Sequence, residues 1–165
     1  ETTQKEQRRR KNFFYNDVDN FKIFLMNVEA FSSVKGKKIA DKFLQLYPSM
    51  FAIDESTTIK NPKAARTKSI LKLGEKALYR RILTGSPVTR SPLDLFSQCA
   101  FLDLDHLGQP SYWSYKNRYC VMETGYAADY TYQKVLGYQN IHELNNKLQN
   151  FLYLNLKSHE QNLVV

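Results

Sequence analysis

At 165 residues with 42% hydrophobic and 13% aromatic content, the chain is long enough to bury the core of one domain, which excludes disorder over most of its length. Its 24 Lys and Arg against 16 Asp and Glu give a net charge of +8, which favours a polyanionic partner such as nucleic acid, though basic residues also form merely solvated faces. No apolar run approaches the roughly 20 residues that cross a bilayer, and Cys99 and Cys120 stand at no metal-ligand spacing behind no secretory signal, which argues against a membrane span, a zinc site and a disulfide framework.

Residues 1–20 read as a charged, flexible N-terminal segment whose densest basic run is Arg8-Arg9-Arg10-Lys11, either solvated or an arm that contacts phosphates. The folded part is expected over residues 21–165. Phe21 to Val28 is rich in strand formers and reads as a buried strand. It runs into Asn27-Val28-Glu29-Ala30-Phe31-Ser32, where Asn27 and Ser32 can donate to a phosphate or cap the next helix. Lys35-Gly36-Lys37-Lys38 contains a Gly-Lys pair, but Phe31 and Lys38 occupy the places where a phosphate-binding loop needs Gly and Ser or Thr. Gly36 therefore reads as a turn before a helix from Lys38 to Tyr47, which Pro48 ends.

Phe51-Ala52-Ile53 then forms an apolar run that breaks abruptly into Asp54-Glu55-Ser56-Thr57-Thr58. This pattern predicts a buried strand with both carboxylates at its carboxyl end, the edge where open α/β sheets bind ligands. Its plainer alternative is a solvated acidic turn. Asn61 and Pro62 read as cap and first residue of a helix to about Lys76, loaded with Lys63, Arg66, Lys68, Lys72 and Lys76 on a solvated face. Arg80 to Leu83 reads as a second strand, broken by Thr84-Gly85-Ser86-Pro87. The strand, helix, strand order predicts a right-handed parallel crossover that sets both polar turns on one sheet edge. Ser91-Pro92-Leu93-Asp94 starts a helix to about Leu102, with Ser91 as cap. Asp103 to Pro110 reads as a loop, Ser111 to Met122 as a helix whose Trp113, Tyr115 and Tyr119 are core in preference to base-stacking, and Asn140 to Asn150 as a helix. Residues 125–137 give no clear pattern. His106, His142 and His159 are scattered without ligand or triad partners.

Asp54-Glu55-Ser56-Thr57 followed by Ile59-Lys60-Asn61-Pro62, then Ile82-Leu83-Thr84-Gly85-Ser86-Pro87 and Pro92-Leu93-Asp94-Leu95-Phe96, resembles motifs II and III of Swi/Snf-type superfamily 2 helicase-like ATPases. The resemblance runs from about Phe21 to Lys157. It implies an α/β fold, a partial RecA-like (P-loop NTPase) lobe with a parallel sheet flanked by helices, missing the P-loop strand. It also implies ATP and Mg²⁺ as cofactors, with Asp54 holding the metal through water and Glu55 orienting or deprotonating the attacking water. Thr84, Gly85 and Ser86 become the coupling turn, and Asn27, Ser32 and Lys60 candidate nucleic-acid contacts.

Departures from the family pattern are specific. Ser56-Thr57 replaces small or histidine residues, Ser86 replaces the commoner threonine, Asn27-Val28 replaces a hydroxyl and an aromatic, and Leu154-Asn155-Leu156 stands where paired arginines precede the lysine. The implied partners are duplex DNA and, in the same parent protein, a P-loop segment and a second RecA-like lobe, so the piece alone is expected to be inactive. The wording of the motifs is most similar to phage or prophage members, implying the cytoplasm of a bacterial or phage-infected cell. A non-catalytic nucleic-acid or protein interaction module is the alternative, and a metal-dependent nuclease built on Asp54 and Glu55 a third reading, weakened because no further ligands converge by pattern.

Overall fold

Two short strands, β1 (Met50–Ile53) and β2 (Tyr79–Ile82), pair in parallel, with Met50 opposite Tyr79 and Ile53 opposite Ile82. They form the parallel sheet of a computed structural model that describes residues 3–15, 21–127 and 130–149. The connection between them carries a 3₁₀ turn, Ser56–Ile59, and helix α3 (Ala65–Gly74), as a parallel crossover requires. Ile53, Ile59, Ile70 and Leu73 are buried together with Phe31, Ala40 and Phe101 in a core under the sheet.

Preceding β1 are α1 (Gln4–Tyr15), a 3₁₀ turn (Val28–Ser32) and α2 (Val34–Leu46). The charged segment is a helix with a docked aromatic end: Phe14 is buried, the Phe13 ring stacks on Phe43 at 5.9 Å, and Tyr47 Oη donates to the Phe14 carbonyl at 2.7 Å. Arg8 and Arg9 are exposed while the aromatics anchor the helix. Phe21 to Asn27 forms neither helix nor strand and pairs with no strand among the described residues, which corrects the expected buried strand. Phe24 and Met26 pack on the core, whereas Phe21 and Leu25 are 91% and 87% exposed, so only one face of the segment is covered.

Helix α2 begins before the expected Lys38. Ser33 caps it, its Oγ accepting from Gly36 N at 2.9 Å, and Gly36 is in the first turn, not in a turn ahead of the helix. A Cβ at Gly36 would lie 2.1 Å from the Ala30 carbonyl oxygen, so glycine is required there by close backbone approach. Asn61 likewise caps a turn, accepting from Lys63 N at 3.0 Å, while the residue that precedes α3 is Ala64, which makes no side-chain cap.

After β2 come a 3₁₀ turn, Pro92–Asp94, and helices α4 (Leu95–Leu102) and α5 (Tyr112–Tyr119), with a 3₁₀ turn, Asp105–Leu107, between the helices. The helical segment starts where expected, with Ser91 at the cap position, Pro92 first and Asp94 in the first turn, but the Ser91 side chain makes no cap hydrogen bond. Helix α4 is buried on nearly every side, its polar Ser97 and Gln98 included. Phe101 faces the sheet core, and Phe96 and Cys99 face a second core with Tyr115, Tyr119, Leu144 and Leu148. Tyr115 and Tyr119 are fully buried but Trp113 is 59% exposed. The expected helix through Met122 stops at Tyr119, and Cys120 opens an antiparallel hairpin of β3 (Cys120–Ala127) and β4 (Tyr130–Tyr138). Helix α6 (Ile141–Gln149) closes the second core with Leu144 and Leu148. The expected strand from Phe151 to Leu156, with its arginine positions, and His159 lie outside the described residues.

Candidate functional site

The polar turns that leave β1 and β2 are held side by side by the parallel ladder and its extension. Leu83 N donates to the Ile53 carbonyl at 2.8 Å, and Ser56 N donates to the Leu83 carbonyl at 3.0 Å. Asp54 and Glu55 are therefore bracketed by two bonds to the residue that immediately precedes Thr84. Both acids are exposed, as are Gly85 and Ser86, and Thr84 is half-buried. Glu55 adopts φ 49°, ψ 60°, a left-handed conformation rare for a residue with a Cβ. Asp54 Oδ1 accepts from Glu55 N at 3.0 Å, and the Glu55 carbonyl accepts from Thr58 N at 2.9 Å, which fix the sharp exit from the strand. Backbone strain of this kind concentrates at functional sites.

Thr84 and Ser86 bond within their own turn. Thr84 Oγ1 accepts from Ser86 N at 3.3 Å, and Ser86 Oγ donates to the Val88 carbonyl at 3.0 Å. Among the described residues no hydrogen bond joins either hydroxyl to Asp54 or Glu55, so hydroxyl and carboxylate are not directly linked. Nor is Gly85 crowded: a Cβ there would meet nothing within 4 Å, so close approach does not explain the glycine.

The two turns are instead joined underneath, by a residue that the sequence reading passed over. Ser56, fully buried, donates from Oγ to Gln98 Oε1 at 2.6 Å. Gln98 Nε2 donates to the Pro87 carbonyl and to the Asp94 carbonyl, each at 2.8 Å. A polar Gln98 inside the apolar run of α4 was the available signal. The 3₁₀ turn after the acids is also clamped from α3, where Arg66 Nε donates to the Thr58 carbonyl at 3.1 Å and Thr67 Oγ1 to the Ile59 carbonyl at 3.3 Å.

Asp94 organises the loop beyond the Thr84-Gly85-Ser86 turn. Its Oδ2 accepts from Thr89 N at 3.1 Å, Thr89 Oγ1 at 2.8 Å and Arg90 N at 2.9 Å. Partial burial pushes the carboxyl upward, but these bonds, led by the Thr89 hydroxyl and helped by the Lys60 charge, outweigh it and hold the pKa below its ordinary value. Lys60 reaches the same cluster, donating to Thr89 Oγ1 and lying 4.0 Å from Asp94 Oδ2. The ammonium expected on nucleic acid thus has an internal partner. Asn27 and Ser32 are exposed at the ends of the Val28–Ser32 turn, away from the acid loop in sequence; Asn27 Oδ1 accepts weakly from Glu29 N at 3.4 Å, and Ser33, not Ser32, caps α2.

Exposed carboxylate oxygens on a sheet rim fit Mg²⁺, which takes oxygen donors and keeps several of its waters. Among the described residues no group of three or more His, Cys, Asp or Glu side chains is gathered as a metal cage, and no helix is long and apolar enough to cross a membrane.

The chain is 41% identical over 61 residues to DNA repair protein RAD5 of Candida glabrata, a stretch covering 37% of this chain and 5% of that protein. It is 32% identical over 106 residues to the DNA annealing helicase and endonuclease ZRANB3 of Mus musculus, covering 64% of this chain and 10% of that protein. Over 80 residues it is 32% identical to the SWI/SNF-related matrix-associated actin-dependent regulator of chromatin subfamily A-like protein 1 of Drosophila melanogaster, covering 48% of this chain and 10% of that protein. The matched stretches thus span a tenth or less of these relatives' lengths. No solved structure matches the chain. The family model for the SNF2-related domain matches residues 3–163, nearly the whole chain, and with the paired acid and Thr-Gly-Ser turns in place the chain belongs to the SNF2 family of helicase-like proteins.

Proposed function

We propose that the chain is the later part of the first RecA-like lobe of a DNA-dependent ATPase, which couples ATP hydrolysis to movement on duplex DNA or to its remodelling. The observation that carries this reading is the parallel pairing of β1 with β2, which sets Asp54-Glu55 beside Thr84-Gly85-Ser86 on one sheet edge. Family membership supports the RecA-like fold and the class of reaction.

In this reading Asp54 holds Mg²⁺ through the metal's water shell, and Glu55 accepts a hydrogen bond from the attacking water and draws its proton. When bound, Mg²⁺ neutralises charge on the transferred phosphoryl group, and little remains for the protein beyond positioning and electrostatics. The left-handed backbone at Glu55 and the bonds on either side of it fix where that carboxylate leaves the strand. Thr84, Gly85 and Ser86 pass the state of the nucleotide to the DNA-binding surface. Exposed Asn27 and Ser32 donate to backbone phosphates, whereas Lys60 reaches DNA only after leaving Thr89 and Asp94.

The grip on the β and γ phosphates comes from a glycine-rich loop elsewhere in the parent protein, and a second lobe completes the site. The similarity of the motif wording to phage members is what supports reading the parent as a protein of the cytoplasm of a bacterial or phage-infected cell. The test is ATP turnover with and without duplex DNA. The intact parent is expected to hydrolyse ATP faster with DNA, and the isolated chain to show no turnover above background. Hydrolysis by the isolated chain that Glu55→Gln abolishes would overturn its reading as an inactive part, and a parent with no Gly-Lys-Thr or Gly-Lys-Ser loop would favour the non-catalytic interaction module instead.

A further inference from the structure

We infer that Gln98 is a positioning residue that couples the acid loop to the Thr84-Gly85-Ser86 turn. The inference rests on the ATPase reading above and adds to it a path between the two turns. Direct hydroxyl-to-carboxylate bonds do not join them among the described residues, and the backbone ladder reaches only Leu83. Gln98 supplies the side-chain connection. It is 1% exposed, and the Ser56 hydroxyl that meets it is fully buried.

The amide's orientation follows from its partners. Two backbone carbonyls, of Pro87 and Asp94, only accept, so Nε2 faces them and donates one hydrogen to each at 2.8 Å. Oε1 is left to accept from Ser56 Oγ at 2.6 Å. Ser56 follows Glu55 directly, and Pro87 follows Ser86 directly. One rigid amide, carried on a buried helix, therefore touches the residue next to each functional turn. A shift of the acid loop that moves Ser56 must either drag the Pro87 carbonyl with it or break a buried hydrogen bond. Because both donors and the acceptor are engaged, the amide cannot turn to satisfy one loop without abandoning the other.

The alternative is that the bridge only stabilises the fold, and the two roles separate experimentally. In the intact parent, Ser56→Ala and Gln98→Met each remove one side of the Ser56–Gln98 bond and leave its other side buried and unpaired, whereas the double replacement removes both sides of that bond and leaves only the carbonyls that Gln98 Nε2 met without their donor. Methionine fills a space similar to that of glutamine without donating. The readouts are the thermal midpoint, the KM for ATP and the ratio of turnover with duplex DNA to turnover without it.

If the bridge couples the turns, the ratio falls about tenfold, within the usual range for coupling between sites, in the double variant as well as in each single one. The KM for ATP stays unchanged, and the double variant melts no lower than Gln98→Met alone, because replacing Ser56 removes the hydroxyl that Gln98→Met leaves unpaired. A double variant that recovers the ratio overturns the inference, since the bridge would then be structural only. Should the single variants fail to fold, the double variant alone decides by the same ratio. A parent that shows no ATP turnover in any form refutes the ATPase reading itself, and this inference with it, an outcome distinct from intact turnover with retained coupling.

Discussion

Gly36→Ala sets two effects of opposite sign against each other. In an ordinary helix interior alanine is favoured over glycine by about 1 kcal/mol. At this site, however, the new Cβ would lie 2.1 Å from the Ala30 carbonyl oxygen, 2.7 Å from its carbon and 3.0 Å from Ser33 Oγ. Carbon and oxygen rest near ~3.3 Å in even a close C–H to O contact, so the turn and the helix must separate by roughly 1 Å. That separation disrupts Ser33, whose Oγ donates to the Ala30 carbonyl at 2.8 Å and accepts from Gly36 N at 2.9 Å. Overpacking costs about 1–3 kcal/mol and a lost cap about 1 kcal/mol, which after the gain in propensity leaves a net loss of about 1–3 kcal/mol. Urea unfolding followed by circular dichroism should show a lower midpoint at an unchanged slope. A variant as stable as the original, or more stable, would refute the packing of α2 against the Val28–Ser32 turn.

Three further outcomes follow from particular residues. The Arg118 guanidinium, with Tyr119 Oη and Lys147, holds Glu143 at about 2 against its ordinary 4.5 despite some desolvation. A carboxylate lowered in this way contributes stability above about 4.5 that is lost as pH falls toward about 2, so Glu143→Gln should flatten that acid limb of the unfolding-midpoint profile, and identical limbs would contradict the ion pairs. Burial pushes the Cys99 thiol up to about 12 and raises Cys120 as well, so neither should react with a thiol reagent in the native protein at pH 8 while both react after denaturation; rapid native labelling would contradict their burial. Glu55→Gly relieves a left-handed backbone that costs a residue with a Cβ about 1–2 kcal/mol, and net of glycine's added chain entropy it should raise stability by about 0.5 kcal/mol. Lower stability in that variant would mean Glu55 is not strained.

The sheet edge was legible because its signal is local: at both Ile53 to Asp54 and Leu83 to Thr84 apolar residues give way to acids or hydroxyls within one residue, and the pair of breaks separated by a helix favours a parallel crossover over an isolated acidic turn. Phe21 to Val28 misled because strand propensity reports a pleated, half-buried surface and says nothing of whether a neighbour is present to complete the ladder. The β3–β4 hairpin was hidden for a different reason. No Asn-Gly or Asp-Gly stands between Tyr126 and Tyr130 to mark its turn, and Cys120-Val121-Met122 continues the apolar pattern of α5 without a breaker. The cap of α2 is Ser33 and not Ser32, and Asn61 caps a turn ahead of α3 and not the helix itself, distinctions of one to three residues that neighbouring hydroxyl and amide side chains do not mark in sequence. Within the site, the acids and the Thr-Gly-Ser turn could be read one by one, whereas Gln98 showed in the sequence only as a polar residue within an apolar run, without its role. Its partners are Ser56, Pro87 and Asp94, and only the folded chain brings the first two to α4.

The central claim is that Asp54-Glu55, at the rim it shares with Thr84-Gly85-Ser86, performs the hydrolytic step. It is tested most directly by measuring ATP binding and DNA-stimulated ATP turnover for Glu55→Gln in the intact parent protein. The predicted result is retained nucleotide binding with turnover reduced to background, because glutamine keeps the size of the side chain but cannot draw a proton from water. Turnover equal to that of the unaltered protein would remove Glu55 from the reaction and contradict the account.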